Sequence, residues 1–531
     1  IGIILGDVID EEDRIYGDGV NVAARLEALA DPGGVCVSKT AFDQIETKLP
    51  LGYEYLGQQS VKNIPKPVGA YRVLMKPGAV GKVIGEKRFL GWMSRKSAMA
   101  AILALSIIIG GLVSYYIYLH QSGRIEPASI EKMAFPLPDK PSIAVLPFKN
   151  MSGDANQEFF SDGITEHIIT SLSKVPYIFV IARNSTFSYK NKSVKVQQIA
   201  EELGVRYVLE GSVQRSDDRV RITAQLIDAS EGHHLWADSY DRQIDDLFKI
   251  QDQIAMKIMA ALQVNLSEAE LGQFFSTNTT NIKAYEKYLE SYEKIRRRTE
   301  GDILKARILA KEAIALDPEY GAPYVVLALS HLDDVWFYRS KSRTKSLQTA
   351  KQLIQKAIDL SGNDAWTHRA LGEIYVLNRE YEKAIDECQK SIEFSPNSAE
   401  SHFYYGWALR YAGRFNEAIT VLKKAIRLNP ITPLQYLNGL AWASTYSEQY
   451  EQAILIWKQC LERNPDYLFA HMGLTLAFQL SGNENMARES AQEVLRIKPD
   501  LTVSKIKKGS ATKNIDRKRI LGEFRKAGIP D

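Results

Sequence analysis

Pro396, Pro430, Pro465 and Pro499 recur at about 34 residues, and Ala384, Ala418, Ala453 and Ala487 keep step with them, as do Gly372, Gly406, Gly439 and Gly473. A period of this length describes one helix pair per repeat. Such a pair cannot bury its apolar face alone, so the copies must stack into a solenoid. The stretch WTHRALGEIYVLNREYEKAIDECQKSIEFSPN from Trp366 shows the pattern: small residues where the two helices touch, Tyr375 and Tyr381 filling the groove between them, and Pro396 closing the second helix. The aromatic stripe reads as core. Degenerate copies continue upstream through Ala313, Pro318 and the stretch ending at Leu360, so residues 280–504 are expected to be an all-α solenoid. Residues 505–531 form a basic, polar tail that caps the stack or frays.

Residues 98–119 read AMAAILALSIIIGGLVSYYIYL, without a charge. At about 1.5 Å per residue the stretch is long enough to cross roughly 30 Å of hydrocarbon. A buried core helix is the competing reading. The segment is apolar all round, however, and it ends in Tyr115, Tyr116 and Tyr118, aromatics favoured at a bilayer interface. Lys82, Lys87, Arg88, Arg95 and Lys96 precede it, whereas only Arg124 and Lys132 follow at comparable distance. The asymmetry places the N-terminal side in the cytoplasm and residues after about 120 outside, in a single-pass membrane protein. Residues 76–97 are then a basic juxtamembrane linker, and 120–140, with Pro136 and Pro138, a stiff linker leading to Pro141.

With 531 residues, the chain exceeds what one hydrophobic core supports, and a multidomain protein follows. Its net charge of +3 gives no broad basic surface for nucleic acid. Cys36, Cys388 and Cys460 stand far apart without CxxC or Cys/His spacing, which supports neither disulfides nor a zinc site. The chain opens on Ile1, in what reads as the middle of a strand over IGIILGDVI, and a missing upstream portion is expected.

In IYGDGVNVAARLE, from Ile15 to Glu27, Gly17 and Gly19 make a tight turn and Val20, Ala23, Ala24 and Leu26 supply a packed helix. Asn21 and Arg25 then share one helix face, where an amide and a guanidinium can meet a single anionic group. By itself such a pair is usually ordinary solvated surface. Gly6-Asp-Val, the run IYGDGVNVAARLEALADPGGVCVS and the run VKNIPKPVGAYRV from Val61 to Val73 together resemble the second half of a class III adenylate/guanylate cyclase domain. The resemblance covers residues 1–75. It implies that Asn21 and Arg25 stabilise the ribose and the pentacoordinate α-phosphate of the transition state, and that Lys62 binds the triphosphate. At the position seven before Asn21, where the family usually carries a base-reading Asp or Thr, stands Arg14, with Asp13 beside it. The substrate implied is ATP, with GTP open, and the product a cyclic nucleotide with pyrophosphate. The Mg²⁺ or Mn²⁺ ligands of the family are expected upstream of residue 1, so the chain alone should be inactive. A homodimer is implied, because the family builds its sites between protomers. Asp7 and Asp18 read as turn residues rather than metal ligands.

From Pro141 to Leu266 the pattern alternates: a strand over 142–148, a helix over 161–174, a strand over 177–183, a helix over 196–203 and a strand over 207–214. A hairpin follows, turning at Asp217-Asp218 with Val220, Ile222, Ala224 and Leu226 facing inward. IAVLPFKNMSGDANQEFFSDGITEHIITSL and YVLEGSVQRSDDRVRITAQLIDASEGHHLWADSYDR resemble TolB N-terminal-like domains, and residues 141–266 are taken as such an α/β domain with a binding or sensing role. His233-His234 reads as strand-end decoration, and Asp154 and Asp162 as loop and cap residues. The 34-residue units resemble tetratricopeptide repeats, which implies a protein or peptide partner. The fold expected is multidomain: a partial α/β cyclase domain, a single transmembrane helix, an α/β TolB-like domain and an all-α tetratricopeptide solenoid. The function expected is a membrane-bound class III nucleotide cyclase in signal transduction. The alternative is a non-catalytic scaffold whose cyclase remnant only dimerises.

Overall fold

The computed structural model describes residues 1–5, 9–11, 14–16, 18–61, 64–85, 126–264, 266, 279–337, 339–509 and 517–531. The chain divides into two compact units, Ile1–Leu119 and His120–Asp531. The apolar segment 98–119, together with Asp7, Asp13 and Lys62, lies outside the described residues. Among the described residues no helix is long and apolar enough to cross a membrane.

The first unit carries β1 (Gly2–Ile3), β2 (Ile9–Glu11), β3 (Arg14–Tyr16), α1 (Asp18–Leu29), β4 (Cys36–Ser38), α2 (Lys39–Ile45), β5 (Gly52–Gln59), β6 (Val68–Leu74) and β7 (Val83–Ile84). The sheet runs in the order β1-β4-β6-β5-β7, with β2 and β3 forming a separate hairpin. The opening IGIILGDVI is therefore not one strand. Gly2 and Ile3 alone find a ladder partner, in Cys36 and Val37, while Ile9 pairs with Tyr16. A Cβ on Gly2 would lie 2.1 Å from the Ala23 carbonyl oxygen, so glycine lets α1 lie against the sheet edge. Beneath it Val22 and Leu26 pack with Cys36 and Ala70. On α2 the Ser38 hydroxyl accepts from the Ala41 amide at 3.2 Å, capping the helix over a core in which Phe42 stacks on Tyr71 at 3.9 Å.

The second unit opens with an α/β domain: β8 (Ser142–Val145), β9 (Lys149–Asn150), α3 (Glu158–Ser173), β10 (Phe179–Val180), α4 (Arg183–Phe187), α5 (Val196–Leu203), β11 (Tyr207–Ser216), β12 (Arg219–Asp228), β13 (His233–Gln243) and α6 (Leu247–Ala261). Its sheet order is β10-β8-β11-β12-β13, with β9 beside β11. The β11–β12 hairpin turns at Asp217, whose φ is +50°, and Val220, Ile222, Ala224 and Leu226 are all fully buried. The strand expected through Arg183 stops at Val180. The Ala182 amide turns away to the Leu428 carbonyl at 2.8 Å, and Arg183 opens a helix. Asp154 caps the turn over Ala155–Gln157, bonding the Asn156 amide at 2.8 Å. Asp162 is not a cap. It sits inside α3 and takes an ion pair from Lys190 at 2.6 Å. His233 and His234 are exposed at the start of β13.

Among the described residues the solenoid follows as six helix pairs: α7 (Ile282–Arg297) with α8 (Glu300–Leu316), α9 (Ala322–Trp336) with α10 (Arg343–Ser361), α11 (Ala365–Leu377) with α12 (Tyr381–Phe394), α13 (Ala399–Ala412) with α14 (Phe415–Leu428), α15 (Leu434–Tyr446) with α16 (Tyr450–Arg463), and α17 (Leu468–Leu480) with α18 (Glu484–Ile497). Each periodic proline stands two residues past the last residue of its second helix. The periodic glycines mark helix contacts: an added Cβ would meet Cys388 Sγ at 2.4 Å from Gly372 and Leu422 Cγ at 2.7 Å from Gly406. Gly439 departs from the rule, since its nearest neighbour would be 3.5 Å away. After α19 (Val503–Gly509), α20 (Arg517–Lys526) buries Leu521 and Phe524 against the last pair, and the Val503 amide bonds the Pro530 carbonyl at 2.7 Å. The basic tail thus caps the stack.

His402, on the first helix of its pair, has Nε2 at 3.0 Å from the Pro396 carbonyl; His471 repeats the contact with Pro465 at 2.8 Å. Burial first, then the charges of Lys424 and Lys140, push the His402 pKa from 6.5 down to about 4. Its neutral form is the folded form. The stability it contributes is therefore fully present above pH 6.5 and is lost as pH falls through 6.5 toward 4, amounting at most to about 3 kcal/mol at about 1.4 kcal/mol per pH unit. His402→Gln keeps a donor for Pro396 and cannot titrate. Denaturant unfolding at pH 7 and pH 4.5 should show a smaller acid-induced loss of stability in this variant than in the parent chain. Equal losses would show that His402 does not titrate in this way.

Candidate functional site

On α1, Val22 and Leu26 face the sheet, which turns Asn21 and Arg25 outward onto one exposed face. Neither has a hydrogen bond or ion pair to any described residue. Asp18 begins the same helix and is exposed. Arg14 lies in the β2–β3 hairpin just ahead of α1, paired with Glu11. Of the sequence-predicted site residues, the structure thus brings Asn21 and Arg25 onto one helix with the Arg14 backbone beside its start; Asp13 and Lys62 are outside the described residues. Among the described residues no group of three histidine, cysteine or carboxylate side chains is placed to hold a metal ion.

The second unit contains a site that the sequence did not announce. The α/β domain is docked on the solenoid by buried polar contacts: Asn397 Nδ2 donates to the Val175 carbonyl at 2.6 Å, and Ser185 Oγ donates to Asn429 Oδ1 at 2.6 Å. Arg427 donates to the carbonyls of Leu203 at 3.2 Å and Gly204 at 2.8 Å. Helix α7 lies on α3 so closely that a Cβ on Gly163 would fall 2.2 Å from Leu289 Cδ1. A cavity of about 420 Å³ remains between the two parts, within the size of small-molecule sites. A smaller one of about 120 Å³ adjoins it and shares Tyr292, Arg296, Trp366, Arg369 and Glu400.

One wall is aromatic. Tyr285, Tyr288 and Tyr292 form a stripe along α7, with Tyr288 and Tyr292 stacked at 6.1 Å, and Trp366 meets Tyr292 edge-on at 4.9 Å. Burial pushes the Tyr285 phenol up to about 12. An ionic cluster adjoins it, with the Tyr292 hydroxyl 3.4 Å from Glu166 and Arg296 over the Tyr292 ring. Glu166 pairs with Arg183 at 2.6 Å and with Arg296 at 3.3 Å, and Asn184 accepts from Arg296. Burial works against the charge on Arg296, but Tyr292, Glu166 and Glu400 outweigh it and hold its pKa above the ordinary value. Asp252 and His167 also line the cavity: burial raises Asp252 to about 6 against the pull of Lys174, and burial followed by Lys174 lowers His167 to about 4. Perturbed groups gathered in a cleft between domains make this cavity a candidate binding site. The tyrosine stripe at helical spacing was the one signal in the sequence, and at that spacing core packing is its ordinary meaning.

Two family models match the chain. Residues 139–261 match the second domain of HilA/YgeH-like transcriptional regulators, and residues 399–431 match the tetratricopeptide repeat. A protein of Rhizobium meliloti (strain 1021) named "Putative adenylate cyclase 3" is 36% identical over 390 residues, which is 73% of this chain. The chain spans 58% of the length of that relative. Among solved structures, YrrB, described as a tetratricopeptide protein with an unusual peptide-binding site, is 19% identical, covering 36% of this chain and 93% of its own with a TM-score of 0.28. PilF of Pseudomonas aeruginosa is 13% identical, covering 41% and 94% with a TM-score of 0.34. Tetratricopeptide repeats are therefore present, and the chain is related to a protein named as a cyclase.

Proposed function

We propose that the chain is the nucleotide-binding, membrane-anchoring and sensing portion of a class III adenylate cyclase, which converts ATP to cyclic AMP and pyrophosphate in a homodimer. The observation that carries this reading is the 36% identity, over 73% of the chain, to the relative named as an adenylate cyclase, taken with the cyclase-like runs that surround Asn21, Arg25 and Lys62. The exposed face of α1 supports it, since both side chains stand free to meet a nucleotide. In this reading the 3′-oxygen attacks the α-phosphate, and fixed donors from Asn21 and Arg25 stabilise charge that grows on the reacting oxygens. Lys62 holds the triphosphate, and Arg14 with Asp13 stands near the base. A divalent cation would supply Lewis acidity from ligands ahead of Ile1. The apolar segment 98–119 spans the membrane with the nucleotide site on the cytoplasmic side, and the second unit detects a ligand outside.

A scaffold that recruits a protein partner is the second reading, favoured by the stack of repeats. One assay separates the two: cyclic AMP and cyclic GMP formation with Mn²⁺ by the protein carrying the sequence ahead of Ile1. A folded dimer of that protein forming neither nucleotide would leave the scaffold.

A further inference from the structure

We propose that the cavity between the α/β domain and the solenoid binds a free α-amino acid with an apolar or aromatic side chain. The cavity holds charges of both signs that are incompletely used. Arg369 is only 6% exposed at its side chain, yet among the described residues its one ion pair is a long one, 3.5 Å to Glu373, and its Nε has no hydrogen-bond partner. A buried guanidinium with idle donors is costly, and a carboxylate meets two of those donors at once. Its plane is already set, lying 5.3 Å over Trp366 and 4.7 Å over Tyr404. Arg296 stands on the same cavity wall, committed to Glu166 and Asn184.

Glu400 has the opposite sign and lines both the larger cavity and its neighbour. No described residue gives it an ion pair or hydrogen bond, and its charge acts on both Arg296 and Arg369. A simple anion drawn to Arg369 would be repelled by Glu400. A simple cation drawn to Glu400 would be repelled by two arginines. A ligand carrying an ammonium and a carboxylate on one carbon satisfies both, and such a head group is neutral overall, as the cavity is: Lys174, Arg183, Arg296 and Arg369 balance Glu166, Asp252, Asp364 and Glu400. The aromatic wall then receives the side chain. Tyr288, Tyr292 and Trp366 present apolar surface next to the charged end, and a volume of about 420 Å³ admits the largest amino-acid side chains.

The inference rests on the reading of the second unit as a sensing module, but not on cyclase chemistry. Binding is therefore measured directly, without nucleotide, so that its failure and a failure of cyclase activity are separate results. The full chain is titrated calorimetrically with each proteinogenic amino acid at millimolar concentration, and the tightest is repeated as its N-acetyl and carboxamide derivatives. We expect at least one apolar or aromatic amino acid to bind, and each capped form to bind at least about tenfold more weakly. Arg369→Met should abolish binding. Glu400→Gln, a near-isosteric change at a partly buried position, should weaken the amino acid while leaving the N-acetyl form unchanged. No binding by any amino acid to the folded chain would overturn the proposal, as would capped forms or longer peptides binding as tightly as the free amino acid.

Discussion

Arg25→Ala, placed in the protein that carries the sequence ahead of Ile1, is expected to lower the turnover of ATP to cyclic AMP by about 10²- to 10³-fold, the range seen when one fixed donor to a developing oxyanion is removed. The argument starts from α1. Its buried face is fixed by Val22 and Leu26, and the exposed face that remains carries Asn21 and Arg25 one turn apart. Neither side chain is engaged within the described fold, so truncating either leaves no orphaned partner and should leave the thermal midpoint within a degree or two of the parent. A donor that acts on charge formed only in the transition state lowers kcat and kcat/KM together and leaves KM nearly unchanged. Asn21→Ala should follow the same pattern. Lys62→Ala should behave differently, raising KM for ATP, because the triphosphate carries its charge before and during the reaction. Circular dichroism confirms the fold of each variant, and initial rates with Mn²⁺ give the split. Unchanged turnover in folded Arg25→Ala would remove the guanidinium from the chemistry.

The sequence announced what repeats and what alternates. The 34-residue spacing of proline, alanine and glycine located the later helix pairs because each copy solves the same packing problem, as Gly372 against Cys388 and Gly406 against Leu422 show. The β11–β12 hairpin was legible because its inward residues alternate over a half-buried surface. The strand expected through Arg183 ends early for a long-range reason: its ladder stops where Ala182 bonds a solenoid carbonyl rather than β8. The cavity was invisible for the same kind of reason. The domain is pinned to the solenoid by pairs such as Asn397 with Val175, 222 positions apart, and Ser185 with Asn429, 244 apart. No window of sequence contains both partners. On the other site, Asn21 and Arg25 were recognisable because helical spacing alone puts them on one face, whereas their roles came from resemblance.

Trp457→Ala is expected to destabilise the second unit by about 3–5 kcal/mol, the cost of emptying a large aromatic site in a packed core. Trp457 is fully buried on α16, meets Trp442 edge-on at 5.3 Å, and lies against Gly473 of α17. A Cβ on Gly473 would stand 2.1 Å from the indole, in contact with ring atoms that have no free rotation to retreat. Gly473→Ala alone should therefore cost about 1–3 kcal/mol through overpacking, more than outweighing the helix propensity that alanine gains over glycine. The two defects are complementary. In Trp457→Ala the vacated indole space accepts the new methyl group, so the double variant should be more stable than the sum of the single losses predicts. Gly473→Ala is expected to be neutral or favourable in that background, whereas it is harmful in the parent; the decisive quantity is the coupling energy of the double-mutant cycle, expected at about 1–3 kcal/mol. Urea unfolding of the parent, both single variants and the double variant measures it. Strict additivity would mean that the helices separate on substitution rather than press against each other, and that the glycine period records something other than the close approach of neighbouring helices.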